Sequence, residues 1–258
     1  MSRTPFDRVM DAIKEAGYHN HRRPLHSDIV SKGILDDLLK QCELLARDYA
    51  EGVVKHWLNV NAPGGRGRRL DLFIGEPDAE TGGPSITGLR IGIENKSVMT
   101  AHRNRTARFD DLSETLDAVL RVRQEAVMAA TVLVGVAHRL LNVPDRIKPQ
   151  RKADFETAVL PRLSSGDQTL WTEFEYAVSD NRPSDAEGTL ARFRELPTRR
   201  PGLTHMHGYD YVALIPVHVN NVDPPSVPRQ NELGIDVDSE YESMLDTLCR
   251  AYSARWHT

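Results

Sequence analysis

Apolar and polar positions change period several times along the chain, and each change marks an element. Between Leu35 and Tyr49 the apolar residues Leu35, Leu38, Leu39, Cys42, Leu45, Ala46 and Tyr49 recur at three- and four-residue spacing. That is the stripe of an amphipathic helix. Ser27 is a suitable N-cap, so one long helix is predicted from Ser27 to about Ala50. A shorter helix is predicted over 5–17, ended by Gly17. Residues 53–60, 70–74 and 89–98 read as strands. The first two flank the turn PGGRGRR and should pair as a hairpin. A second amphipathic helix is predicted from Phe109 to about Met128. The run TVLVGVA at 131–137 has no polar alternation, as expected of a strand covered on both faces. Residues 209–219 form a further strand, which Pro216 assigns to a sheet edge or a bulge. A last helix over about 239–255 would bury Tyr241, Leu245, Leu248 and Tyr252.

The order helix, three strands, helix, strand predicts an α/β fold, a central mixed sheet flanked by helices. Residues 144–204 carry several prolines and two weak helical patterns, at about 152–164 and 187–195, and read as a helical insertion. We expect one domain over residues 1–258, with a core at about 28–138 completed by the strand at 209–219 and the helix at 239–255.

Composition narrows the function. The chain has 258 residues, 40% apolar and 27% charged, as in ordinary globular proteins. Lys and Arg total 33 against 37 Asp and Glu, a net charge of −4. This excludes a polybasic protein that holds nucleic acid by bulk charge, but not a local basic surface. Two cysteines, Cys42 and Cys249, cannot form a disulfide framework and suit a reducing compartment. No apolar run approaches the roughly 18 residues of a membrane helix. The first residues lack the apolar centre of a signal peptide. A cytoplasmic protein with no membrane partner is expected.

The chemistry gathers on two strands. Side chains alternate along a strand, so Gly92, Glu94 and Lys96 should share one face and Ile91, Ile93 and Asn95 the other. On the preceding strand, Leu70, Leu72 and Ile74 should share a face, with Asp71 opposite. Pairing of the two strands would bring Asp71 to Glu94 and Lys96. Two converging carboxylates repel unless a cation lies between them. Mg²⁺ takes one or two carboxylates and completes its octahedron with water. Such a metal polarises a phosphoryl oxygen and acidifies bound water, and a neighbouring lysine can orient that water or stabilise charge on phosphorus. The alternative is a cross-strand ion pair of Glu94 with Lys96 on an exposed face.

Asp71, 22 intervening residues and then Glu94-Asn95-Lys96 resemble the D…(D/E)-x-K signature of the PD-(D/E)xK nuclease superfamily, which includes many type II restriction endonucleases. The resemblance covers roughly residues 28–138 and extends to the element order, αβββαβ. It departs at Leu70, where the named pattern has proline. The resemblance implies a restriction-endonuclease-like core and Mg²⁺-dependent hydrolysis of phosphodiester bonds in double-stranded DNA. Asp71 and Glu94 would be metal ligands, and Lys96 would assist the nucleophilic water. Many members add a carboxylate from the first helix. Glu43, at the edge of the apolar stripe, is the candidate here, with a boundary salt bridge as the alternative. The resemblance further implies a homodimer, and a DNA methyltransferase acting on the same site as a companion. A structure-specific repair or recombination nuclease and a non-catalytic DNA-binding protein of the same fold are the competing readings.

Between Lys96 and Arg108 there are several basic residues and no acid. His102, Arg103, Asn104, Arg105 and Arg108, with a helix N-terminus, could cradle phosphate or reach base edges. Arg66, Arg68 and Arg69 in the turn before Asp71 could extend this surface. The alternative pairs these arginines with Asp110, Asp111 and Glu114. His205 and His207 could share a strand face, but no further ligand follows at a zinc-site spacing.

Overall fold

The computed structural model describes residues 3–15, 24–64, 67–99, 102, 104–141, 161–162, 165, 167, 169, 178–201, 203–221 and 223–257. The helices are α1 (Pro5–Glu15), α2 (Pro24–Gln41), α3 (Glu43–Ala50), α4 (Arg105–Val122), α5 (Pro183–Phe193) and α6 (Val237–Trp256). Strands β1 (Lys55–Asn61), β2 (Arg69–Pro77), β3 (Pro84–Val98), β4 (Val127–Gly135) and β7 (Tyr211–Val217) form one sheet in the order β1-β2-β3-β4-β7. β1, β2 and β3 are antiparallel neighbours, whereas β3, β4 and β7 run parallel. Strands β5 (Arg139–Leu141) and β6 (Val178–Asp180) pair separately. The expected mixed sheet with flanking helices is therefore present, and Pro216 lies on an edge strand, where the missing N–H costs least. No helix among the described residues is long and apolar enough to cross a membrane.

Each face of the sheet has its own core. Leu72, Ile74, Ile91, Ile93 and Ala129 pack with residues of α1, α2, α3 and α6. Leu70, Phe73, Met128, Ala130 and Val132 pack with residues of α4 and α5. β4 is buried along its whole length, as its unbroken apolar run requires.

The element boundaries depart from the sequence pattern in three instructive places. The helix expected from Ser27 to Ala50 begins at Pro24, whose fixed φ suits a first turn, and is interrupted at Cys42. Cys42 has φ −102 and ψ 92 and serves as N-cap of α3. Its buried thiol lies 3.9 Å from the carbonyl of Cys249 on α6, and burial pushes the Cys249 thiol up to about 12. Helix α6 begins earlier than expected because the Asp236 carboxylate accepts the N–H groups of Asp238 and Ser239, both at 3.1 Å. The helical pattern read at 187–195 corresponds to α5, shifted four residues earlier by Pro183 at its first turn. The pattern read at 152–164 falls outside the described residues, apart from Pro161 and Arg162.

Candidate metal and nucleic-acid site

The site lies where β2 and β3 separate. Their ladder pairs Leu72 with Ile93, and no register pair is formed beyond it toward Asp71. The strand β1 is irregular at the same level. Leu58 pairs with Leu72 and Val60 with Leu70, while Asn59 between them has φ +55. Leu58 and Leu72 pack on the α2 side, whereas Val60 and Leu70 pack on the α4 side. Strict alternation, which grouped Leu70 with Leu72, therefore fails across Asn59 and Asp71. The Asn59 amide donates to Asp28 of α2 at 2.7 Å, which holds the kink.

Asp71 is placed by this irregularity. Its Oδ2 accepts the backbone N–H of Asn95 at 2.6 Å, in place of a strand carbonyl. Its Oδ1 accepts the hydroxyl of Ser27 on α2, also at 2.6 Å. The carboxylate thus reaches toward α2, a direction that simple alternation did not anticipate, but it still acts electrostatically on Glu94.

Glu94 is 2% exposed. Lys96 Nζ stands 3.2 Å from its Oε1 and 3.1 Å from its Oε2. Oε2 is buried with no hydrogen-bond donor aligned on it. Burial is the largest influence on Glu94. It raises the pKa to about 7 against the pull of Lys96, with Asp71 and Asp111 adding to the rise. The sequence left open an exposed ion pair on a solvated face. The pair exists, but it is buried, and unpaired carboxylate oxygens in such places are costly.

These features fit a hard cation. Glu94 Oε2 has the Lys96 ammonium 3.1 Å away but no aligned hydrogen bond, and each Asp71 oxygen accepts one hydrogen bond, leaving a lone pair. Among the described residues, no three or more His, Cys, Asp or Glu side chains gather as a complete ligand set. A cation here would take two carboxylates and fill its remaining positions with water or phosphate oxygens, the habit of Mg²⁺.

The proton on Glu94 has a consequence for stability. Its pKa is near 7 in the fold and near the ordinary value of 4.5 when unfolded. The folded state therefore favours the protonated acid. That contribution is fully present below the unfolded pKa and is lost as pH rises through about 7. We expect urea stability to fall between about pH 5 and 7.5, by an amount on the order of a few kcal/mol. This slope should be absent in Glu94→Gln. Parallel profiles for the two proteins would show that Glu94 titrates normally.

Glu43 does not join the site. It is exposed in the first turn of α3. The part of α2 that meets Asp71 is at Ser27, and at 1.5 Å per residue Glu43 lies about 20 Å further along the helical path. Helix α2 runs along β3 with its beginning at Asn95, while α3 sits near Arg90, so the first helix can offer the site only residues of its opening turns.

The basic segment is partly built into the protein. His102 was a candidate contact for nucleic acid, but it is 3% exposed. It adopts φ +47, and its ring bridges Thr189 Oγ1 at 2.6 Å and the Gly135 carbonyl at 3.1 Å. The carbonyl can only accept, so Nε2 carries the proton and Nδ1 accepts from Thr189. Burial lowers its pKa and keeps the ring neutral. His102 is therefore an internal fastener, where solvent exposure had been expected. Asn104 is the N-cap residue of α4, with its amide 3.5 Å from the Ser97 carbonyl. The Arg105 guanidinium leans on α5, so close to Gly188 that an added Cβ would sit 2.9 Å from Nη1. Asp111 takes Arg108 at 3.0 Å, and with Glu114 it also takes Arg68. The pairing alternative, drawn for the loop arginines, therefore holds for Arg108, and Arg68 from the preceding turn pairs with the same acids. Arg69 is exposed and has no carboxylate partner among the described residues. Arg66 and Arg103 lie outside the described residues.

His205 and His207 lie in a turn, not on a strand. His207 pairs with Asp117 at 2.9 Å across a crevice also lined by Arg121, Gln124 and Met206.

Reasoning from sequence missed Ser27, Ser31, Thr131 and Asp111. Asn95 carried the available signal, as an amide in register with Ile91 and Ile93. It was counted on the apolar face, but its need for partners was not followed. No family model, no curated protein and no solved structure matches the chain.

Proposed function

We propose that the chain is a Mg²⁺-dependent DNA endonuclease with a restriction-endonuclease-like core, cutting double-stranded DNA at a specific sequence. The observation that carries this reading is Glu94. It is a buried carboxylate ion-paired with the Lys96 ammonium, with no aligned hydrogen bond at Oε2 and with Asp71 close enough to raise its pKa. A protein interior does not usually retain such a group without a charge-compensating role. When bound, Mg²⁺ would supply Lewis-acid activation of a phosphodiester and an acidified water. Asp71 and Glu94 would hold it, and Lys96 Nζ would stabilise charge developing on phosphorus or orient the attacking water. The homodimer and the companion methyltransferase belong to the same proposal.

Incubation with varied duplex DNA and Mg²⁺, followed by sequencing of the ends, tests it. Ends at one sequence support the restriction reading. Ends only at flaps, junctions or mismatches point to a structure-specific nuclease. Retention of DNA without any ends points to a binding protein. The exposed side chain beside Asp71 gives a further expectation. Arg69→Ala should weaken duplex binding and reduce the slope of log K against log[salt] by about one, as for a single phosphate contact. An unchanged slope in a filter-binding titration would remove Arg69 from the interface.

A further inference from the structure

Asn95 interrupts an apolar face. Its neighbours in register, Ile91 and Ile93, are fully buried against the helices of that side. Asn95 is part-buried, and an amide there needs hydrogen-bond partners to offset the water it loses. Its Nδ2 lies 2.8 Å from Ser31 Oγ and 3.2 Å from Ser27 Oγ. Its Oδ1 accepts the hydroxyl of Thr131 on β4 at 2.7 Å. Ser27 passes the connection on, with its hydroxyl 2.6 Å from Asp71 Oδ1.

The direction of every bond in this chain is fixed. The Asp71 carboxylate can only accept, so the single Ser27 hydroxyl proton is committed to it. Ser27 Oγ must then accept, and among the described residues the group offered is the NH₂ end of Asn95. The oxygen end of the amide therefore faces β4, where Thr131 donates. Asn95 meanwhile gives its backbone N–H to Asp71 Oδ2. One residue thus constrains both oxygens of one carboxylate, directly through its backbone and indirectly through Ser27. β2 has left its ladder with β3 at this point, although β1 still pairs with Leu70 and Leu72 on either side, so pairing with β3 does not set the direction of the Asp71 side chain.

We infer that Ser27 and Asn95 are positioning residues that set the Asp71 carboxylate for a divalent cation shared with Glu94. This rests on the reading of Asp71 and Glu94 as metal ligands. Groups that orient a ligand in this way usually contribute 10- to 100-fold, on the order of a full second layer of support, to metal affinity or activity. Glu94 projects from the face of β3 opposite the Asn95 side chain, and Asp71, held on the backbone N–H of Asn95, stands at the strand edge within electrostatic reach of Glu94, so the network acts on Asp71 and makes no hydrogen bond to Glu94.

The test uses the whole chain and Mn²⁺ as the probe, read by electron paramagnetic resonance with and without duplex DNA carrying phosphorothioate linkages. Ser27→Ala should weaken Mn²⁺ binding by about 10- to 100-fold. Ser27→Thr, which keeps the hydroxyl, should restore it. Asn95→Ala should weaken binding in the same sense, and Ser27→Ala should retain a wild-type melting curve. Wild-type Mn²⁺ affinity in both alanine variants would overturn the inference, as would a wild-type chain that takes up no Mn²⁺ with or without DNA. If Mn²⁺ binds and Ser27→Ala weakens it, but no variant or parent cuts any duplex, the positioning role stands and the nuclease reading fails.

Discussion

Cleavage of duplex DNA should fall by roughly 10³-fold or more when either Glu94 or Lys96 is replaced by alanine, the scale on which single charge-stabilising groups act. The two losses should differ in kind. Glu94→Ala removes a buried carboxylate proposed as a metal ligand, so Mn²⁺ binding should fall together with turnover. Lys96→Ala removes the ammonium 3.1 Å from Glu94 Oε2, so metal binding should persist, or even strengthen as a competing cation leaves. Turnover should still be lost. Neither change touches Arg69, and DNA retention at moderate salt should be close to wild type. Single-turnover cleavage with saturating Mg²⁺ measures the first effect, and filter binding the second. Equal cleavage by wild type and both variants would falsify the assignment of this pair to chemistry and leave it as a buried structural ion pair.

The largest expected loss of stability lies at the other end of the parallel strands. Asp210 precedes β7 and is fully buried between Arg199 and Arg255, whose side chains are also almost wholly buried. Its Oδ2 accepts the Met128 N–H at 2.9 Å and receives Arg255 at 3.0 Å and Arg199 at 3.2 Å. The arginines also donate to the carbonyls of Gln124, Glu125 and Ala126. One carboxylate therefore serves two guanidinium groups and the start of β4. Asp210→Ala leaves two buried cations facing each other, a change that typically costs about 3–5 kcal/mol. At about 2–4 °C per kcal/mol for a chain of this size, the melting temperature should drop by roughly 6–20 °C. Asp210→Asn should lose less, since it keeps the shape and one acceptor oxygen, although its NH₂ end then faces a donor. Because the cluster is separate from Glu94, cleavage at low temperature should survive in both variants. An Asp210→Ala melting curve superimposed on wild type would show that the arginines find other acceptors.

The strands were the most legible part of the chain, because burial on one or both faces leaves a period in the sequence. β3 and β7 appear where the apolar runs place them, and Pro216 marked an edge, whereas β4 begins at Val127, inside the stretch read as the end of the second helix, which stops at Val122. The interruption at Cys42 was invisible, since Leu38, Cys42 and Leu45 keep helical spacing and all three are buried on either side of it. Tertiary packing against α6 decides it, not local propensity. The same limit applies to Asp71. Alternation predicts its direction only if the strand is regular, and the left-handed Asn59 beside it lies on another strand. His102 was misread for a chemical reason. A histidine among arginines looks solvated, yet a neutral imidazole with one donor and one acceptor fits a buried slot between Thr189 and Gly135. Glu43 was judged from its angle around the helix, which says nothing of its distance along it.

The helices that cover the Asn95 side of the sheet come from distant parts of the chain. Tyr241 of α6 donates to Asp37 of α2, and Tyr252 to Asp48 of α3, each across 204 positions. Phe6 of α1 meets Tyr241 edge-on. This core closes through long loops, and such contacts form late in folding because chain entropy is lost before they return any energy. During synthesis, β2, β3 and α2 leave the ribosome well before α6, so the support behind Asp71 is completed only when α6 docks. A nascent chain would carry Glu94 and Lys96 without a finished site.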